Sequence, residues 1–194
     1  MHRRRLLLVL LLLILGVMAA TPPVVRWWLG PESPLRLPGV RAVENWLPEI
    51  RAAAEEAGLP DAYVLAGLVY AESRGRAGAV SSIGALGLCQ LMPSTAQEVG
   101  GRYQIEVEPL TPADNLRLGA YYLAEQLKRF DGDLDLALIA YRVGPNRVAR
   151  ELRAAGGRSE YEQQLRRRRP SPWGYRDQVL ELSEVFRARA VEQA

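Results

Sequence analysis

Two hydrophobic patterns divide this chain. Leu6 to Ala20 form an unbroken apolar run, whereas from about residue 40 onward apolar positions recur at three- and four-residue spacing. No convincing alternation of polar and apolar residues appears there, and no internal repeat, so the spacing predicts an all-α domain with little or no sheet. Pro48 is placed to open a helix that runs through Ala57 and stops at Gly58. Asp61 is a good N-cap for a helix over Ala62 to Glu72. That segment is apolar all round yet too short to span a bilayer, which marks it as the central buried helix. Gly75, Gly78, Gly84 and Gly87 punctuate a loop, and short helices are expected near Leu88 to Met92 and Pro93 to Val99. Thr111-Pro112 opens another helix, with Leu116, Ala120, Leu123, Leu127 and Phe130 on one face. Asp133 caps a hydrophobic helix through Tyr141 that Gly144-Pro145 ends, and a final helix is expected from about Pro172 to Val191.

The first run has a different meaning. Arg3, Arg4 and Arg5 precede it, the arrangement of an export signal whose basic end stays in the cytoplasm. Val17-Met18-Ala19 offers the small residues a signal peptidase prefers. Alternatively the apolar stretch continues to Val25, long enough to remain as an anchor, with Arg26, Trp27 and Trp28 at the outer interface. The anchor is the favoured reading, which puts the domain on the extracytoplasmic face of a membrane; a cleaved signal would release it. No cysteine follows the run, so a lipoprotein anchor is excluded. The organisation read from sequence is a signal or anchor over 1–28, a Pro/Gly-rich linker over 29–40 and one domain over 41–194.

Charge and residue scarcity then narrow the chemistry. The net charge is +3, but Arg3 to Arg5 and Arg166 to Arg169 account for seven of the 25 basic residues, leaving 18 against 22 acids elsewhere. No basic face for nucleic acid is evident. The run Arg166 to Arg169 suits a solvated surface, with docking to anionic wall polymer or lipid headgroups as the alternative. The only histidine is His2 and the only cysteine is Cys89, which removes Ser-His-Asp and Cys-His catalysis, a His-rich zinc site and any internal disulfide. Carboxylates, hydroxyls and amides must carry the chemistry of any enzyme built on this chain, and neither a metal nor a cofactor is called for.

Glu72 is the odd residue. It ends a wholly apolar helix, where desolvation and the negative end of the helix dipole both disfavour its charge. A raised pKa is what a general acid at neutral pH requires. The bland alternative is a carboxylate that reaches solvent or Arg74. Position alone leaves both readings open.

The surrounding residues favour the first. Glu72-Ser73 is followed by Ala79-Val80-Ser81, then by Gly84-Ala85-Leu86-Gly87-Leu88-Cys89-Gln90-Leu91-Met92-Pro93. Farther on come Asn115 to Leu123, with Gly119 and Tyr122 in register, and Ala140-Tyr141-Arg142-Val143-Gly144. Over roughly residues 46 to 185 this order and spacing resembles the catalytic domain of the soluble-lytic-transglycosylase family. Several linked motifs make the likeness specific, where one alone would be weak.

The resemblance implies a lysozyme-like, two-lobed helical domain with a groove for peptidoglycan glycan strands. It assigns Glu72 as the single catalytic acid and base at the bond between N-acetylmuramic acid and N-acetylglucosamine. The muramic acid's own C6 hydroxyl would then attack, leaving a 1,6-anhydro end. Ser81 and Gln90 match positions that hydrogen-bond the sugars, Met92 a groove-lining methionine, and Tyr141 a tyrosine near the catalytic Glu. Their plain alternatives are a turn hydroxyl, a surface amide, a core methionine and a core tyrosine. A two-carboxylate glycosidase needs its acids about 5 to 9 Å apart. The next acid after Glu72 is Glu98, beyond the motif block, and Glu106 and Glu108 follow in a polar connection. A muramidase of the same fold and a non-catalytic wall-binding scaffold are the competing functions; protein partners are not specified.

Three departures from the family pattern stand out. Cys89 replaces a usual Met, Arg142-Val143 replaces Asn-Ala, and Trp173-Gly174-Tyr175 stands where Glu-Thr often precedes the last helix. A guanidinium at 142 is expected to alter substrate contacts or lower the pKa of Glu72.

Overall fold

The computed structural model describes residues 38–108 and 110–192. The expected anchor over 1–28 and most of the linker lie outside these residues. No helix among the described residues is long and apolar enough to cross a membrane.

The described chain folds into nine helices: α1 (Val40–Glu44), α2 (Leu47–Glu56), α3 (Ala62–Ser73), α4 (Pro93–Tyr103), α5 (Pro112–Arg129), α6 (Leu134–Val143), α7 (Pro145–Ala155), α8 (Arg158–Arg167) and α9 (Pro172–Glu192). The local signals act as chemistry requires. Pro48 sits in the first turn of α2. At its other end Gly58 adopts φ 69°, and the amides of Gly58 and Leu59 donate to the carbonyls of Glu55 and Ala54, a Schellman closure. Asp61, Thr111 and Asp133 each accept a backbone amide at the start of α3, α5 and α6. Among the described residues the only β pairing is two isolated bridges, Val80 with Leu86 and Leu86 with Leu91.

α3 is the axis of the domain. Val64 to Tyr70 are all buried, because α3 is wrapped by α1, α2 and, most extensively, α9. Each fully buried large apolar side chain there contributes about 1.5–3 kcal/mol. α9 approaches so closely that a Cβ on Gly67 would lie 2.2 Å from the Val179 carbonyl oxygen. α5 and α6 pack beside each other on the far side, and α6 also meets α9. A second apolar cluster lies under α7 and α8, where Val148, Tyr161, Leu165 and Trp173 close over Phe130 and Ile139.

Two expectations need correction. The short helix near Leu88 to Met92 is a turn instead. Leu86 and Leu91 exchange both backbone hydrogen bonds, at 2.9 and 3.1 Å, and Gln90 takes φ 48°, a geometry no helix allows. The chain from 145 to 167, for which sequence patterning gave no helix, forms α7 and α8. Val148, Ala149, Leu152 and Ala155 do carry a helical stripe toward the second cluster, but arginines on the other face dilute it. The arginine run is also more than a solvated surface. Arg168 pairs with Glu151 at 2.8 Å, Arg166 pairs with Glu162 at 2.8 Å, and Arg166 covers the Trp173 ring.

Candidate active site

The C-terminal turn of α3 delivers Glu72 to the floor of an open cavity of about 550 Å³. Its side chain is only 5% exposed. A second hollow of about 570 Å³ meets the first at Glu72, Ser81 and Gln90, so the carboxyl lies where two depressions join. Glu72 is the sole acidic residue lining either one.

Burial pushes the Glu72 carboxyl above the usual carboxylate range; the Tyr175 hydroxyl and the Arg142 guanidinium each pull it partly back. Arg142 Nη1 donates to Glu72 Oε2 at 3.2 Å and lies over the Tyr175 ring at 5.4 Å. Half of the Arg142 side chain is in solvent, so this ion pair is screened and burial outweighs it. The guanidinium that sequence comparison flagged is therefore in direct contact with the carboxyl.

The glycine-punctuated loop between α3 and α4 places the other expected residues. Ser81 Oγ accepts the Ala85 amide at 2.9 Å, fixing a tight turn and leaving its own proton to donate elsewhere. Gln90 uses its amide nitrogen on the carbonyls of Ala79 (3.1 Å) and Gly87 (3.0 Å), which leaves Oε1 as the acceptor. Both are thus structural partners of the loop and residues of the cavity wall. Met92 lies on the wall at 37% exposure and is not core.

Tyr141 also lines the cavity, but its hydroxyl donates to the Cys89 carbonyl at 2.9 Å rather than to Glu72. Cys89 is fully buried, and burial drives its thiol far above the normal range, so it is unreactive there. The site therefore holds Glu72, Ser81, Gln90, Met92 and Tyr141 around one cavity.

Sequence reading missed Tyr122, Ser82, Ile83 and Thr95 on the same wall, and Tyr175 behind Glu72. Tyr122 stands in the Asn115-to-Leu123 motif and leans on Tyr141 with ring centres 5.1 Å apart, so the motif was its signal. Tyr175 belongs to the first turn of α9, and only the α3–α9 packing brings it to the carboxyl.

Asn115 is the pin that holds the loop to α5. It is 1% exposed, accepts the Cys89 amide at 2.8 Å and donates to the Leu86 carbonyl at 3.1 Å. Asn115→Ala would leave the Cys89 amide without a partner and the Leu86 carbonyl with only the Leu91 amide, and we expect a loss of about 1–3 kcal/mol. Chemical denaturation would measure it; a loss under 1 kcal/mol would mean the loop is held by other contacts.

Residues 49–164 match the family model for the transglycosylase SLT domain. The chain belongs to that family. A transglycosylase of Enterobacteria phage PRD1 is 39% identical to this SLT chain over 104 residues, 54% of the chain and 37% of the phage protein. Membrane-bound lytic murein transglycosylase F of Shewanella frigidimarina is 31% identical over 152 residues, 74% of the chain and 29% of that protein. Among solved structures, an inactive mutant of the lytic transglycosylase Slt from Pseudomonas aeruginosa superposes with a TM-score of 0.65 at 28% identity, covering 74% of this chain and 24% of that one. The SLT chain thus spans roughly a quarter to a third of the length of these relatives.

Proposed function

We propose that the protein is a lytic transglycosylase that cleaves the bond between N-acetylmuramic acid and N-acetylglucosamine in peptidoglycan. The observation that carries this reading is one buried carboxyl of raised pKa, alone among the acids of an open cavity. A protonated Glu72 gives its proton to the glycosidic oxygen as the bond breaks. The resulting carboxylate then takes the proton of the muramic acid C6 hydroxyl as that oxygen attacks C1, and a 1,6-anhydro ring closes. No second carboxylate is required, because the nucleophile is part of the substrate; the lining of the cavity supports that economy. Ser81 donates and Gln90 Oε1 accepts toward the sugars, Met92 supplies apolar wall, and Tyr141 braces the wall through Cys89.

Arg142 tunes the acid. With it present, the carboxyl ionises at a lower pH than burial alone would set. A general acid works only while protonated, so activity falls as pH rises through its pKa. Arg142→Asn removes the opposing charge and raises that pKa, and the basic limb of the pH–rate profile should move to higher pH. A limb that stays put or moves down would show that Arg142 does not act on Glu72 in the working enzyme.

For location, Arg3 to Arg5 and the apolar run to Ala20 support an envelope protein held at the outer face of the cytoplasmic membrane through residues 1–28. Mass spectrometry of fragments from purified sacculi tests the reaction. Anhydro ends, lighter by one water than hydrolysed ends, support it; hydrolysed ends would make the protein a muramidase, and intact sacculi a wall-binding scaffold.

A further inference from the structure

α1 precedes the residues that match the SLT domain, yet it packs against the turn that carries Glu72. That turn has an exacting backbone. α3 ends at Ser73, one residue past Glu72, and Arg74 (φ 55°) and Gly75 (φ 75°) then both take the left-handed conformation. A residue with a side chain enters that region only at a cost, so surrounding contacts must hold Arg74 there. Hydrogen bonds within the segment are short-range. The Arg74 amide donates to the Tyr70 carbonyl at 2.9 Å and the Arg76 amide to the Ser73 carbonyl at 3.2 Å.

A further grip comes from α1 and the residues flanking it. A Cβ on Gly39 would stand 2.6 Å from Arg74 Cβ and 2.9 Å from the Arg74 carbonyl oxygen. A Cβ on Gly75 would in turn stand 2.7 Å from the Ala42 carbonyl carbon and from the Val43 amide nitrogen. Two glycines thus let the two stretches of backbone touch. Trp46 then donates its indole N–H to the Gly75 carbonyl at 3.2 Å. α1 is itself held down. Val40 and Val43 are buried, and the Arg189 guanidinium of α9 donates to both carboxylate oxygens of Glu44, with Nη2 to Oε2 at 3.1 Å.

We propose that residues 39–46 form a strap that positions the acid: by clamping Arg74 and Gly75, it keeps the Glu72 carboxyl seated in the cavity floor against Arg142. The groups that interact electrostatically with Glu72 are Arg142 and Tyr141 on α6, Tyr175 on α9 and Cys89 in the loop, and none belongs to α1. The strap therefore acts on the acid only by fixing where its turn lies. Its part in cleavage rests on the reading of Glu72 as acid and base.

The test uses the full chain with Gly39→Ala, which pushes α1 off Arg74, and Trp46→Phe, which removes the N–H and keeps an aromatic ring. Gly132→Ala is the control. It too places a side chain at a positive φ (83°), but its Cβ would meet nothing within 4 Å. Each protein is read twice: by the pH–rate profile for cleavage of glycan strands, and by carboxyl-carbon NMR titration of Glu72, assigned by its loss in Glu72→Gln. Burial outweighs the opposing contacts in holding that carboxyl high, so unseating it lowers its pKa. The acid then loses its proton earlier as pH rises. Gly39→Ala should cut kcat about tenfold and move both the basic limb and the NMR titration to lower pH, the opposite direction from Arg142→Asn. Trp46→Phe should do the same to a smaller extent, and Gly132→Ala should move neither. A Glu72 titration in Gly39→Ala that coincides with wild type overturns the proposal, as does an equal shift in Gly132→Ala. Should Gly39→Ala fail to fold, Trp46→Phe decides by the same criteria. If wild type cleaves no strand while Gly39→Ala still lowers the titration, the strap stands and the transglycosylase reading fails.

Discussion

Glu72→Gln is expected to lower release of soluble fragments from sacculi by about a thousandfold, the scale of losing a positioned general acid. Gln keeps the size of the side chain and an oxygen that can still accept from Arg142, so the geometry of the wall should survive. What it cannot do is give a proton to the departing oxygen or take one from the C6 hydroxyl. Because one residue serves both steps in the proposed reaction, both stall together. Circular dichroism and binding to intact sacculi should be unchanged, separating lost chemistry from lost fold. Retention of more than a tenth of wild-type activity would remove Glu72 from the mechanism, since no other acid lines the cavity to replace it.

The second large effect concerns the scaffold. Gly67→Ala sits in the middle of α3, where replacing Gly by Ala ordinarily favours the helix by about 1 kcal/mol. Here the new Cβ would meet the Val179 carbonyl oxygen at 2.2 Å and the Ser183 amide nitrogen at 3.1 Å. Both are backbone atoms of α9, so no rotamer change relieves the contact. Pushing α9 away loosens the largest helix interface of the domain and costs about 3 kcal/mol, which outweighs the propensity gain. The net loss of about 2 kcal/mol should lower the midpoint of thermal unfolding by about 4–8 °C. A rise would mean that α9 can shift freely against α3. Activity should fall as well, because Tyr175 reaches Glu72 only through that interface.

These two positions mark how far the sequence could be read. Glu72 was visible as a carboxylate ending an apolar helix, and the ordered motifs singled out Ser81, Gln90, Met92 and Tyr141, all of which line the same cavity. The close approach at Gly67 was not visible, because a glycine in a helix looks the same whether it faces solvent or another backbone. Likewise the pattern near Leu88 to Met92 is compatible with a helical turn, and only the pairing of Leu86 with Leu91 makes it otherwise.

What the sequence determined by itself is local or cumulative. Caps, helix stops and three- and four-residue spacing act within a few residues, so α2, α3, α5, α6 and α9 and the all-helical class follow from them. The lack of usable histidine and thiol chemistry is likewise a property of composition. Tertiary structure alone decided the environment of the acid. The Arg142 contact spans 70 residues of chain, and Tyr175 arrives from another helix. Electrostatic fields and pKa values depend on distances through space, and spacing along the chain does not encode them.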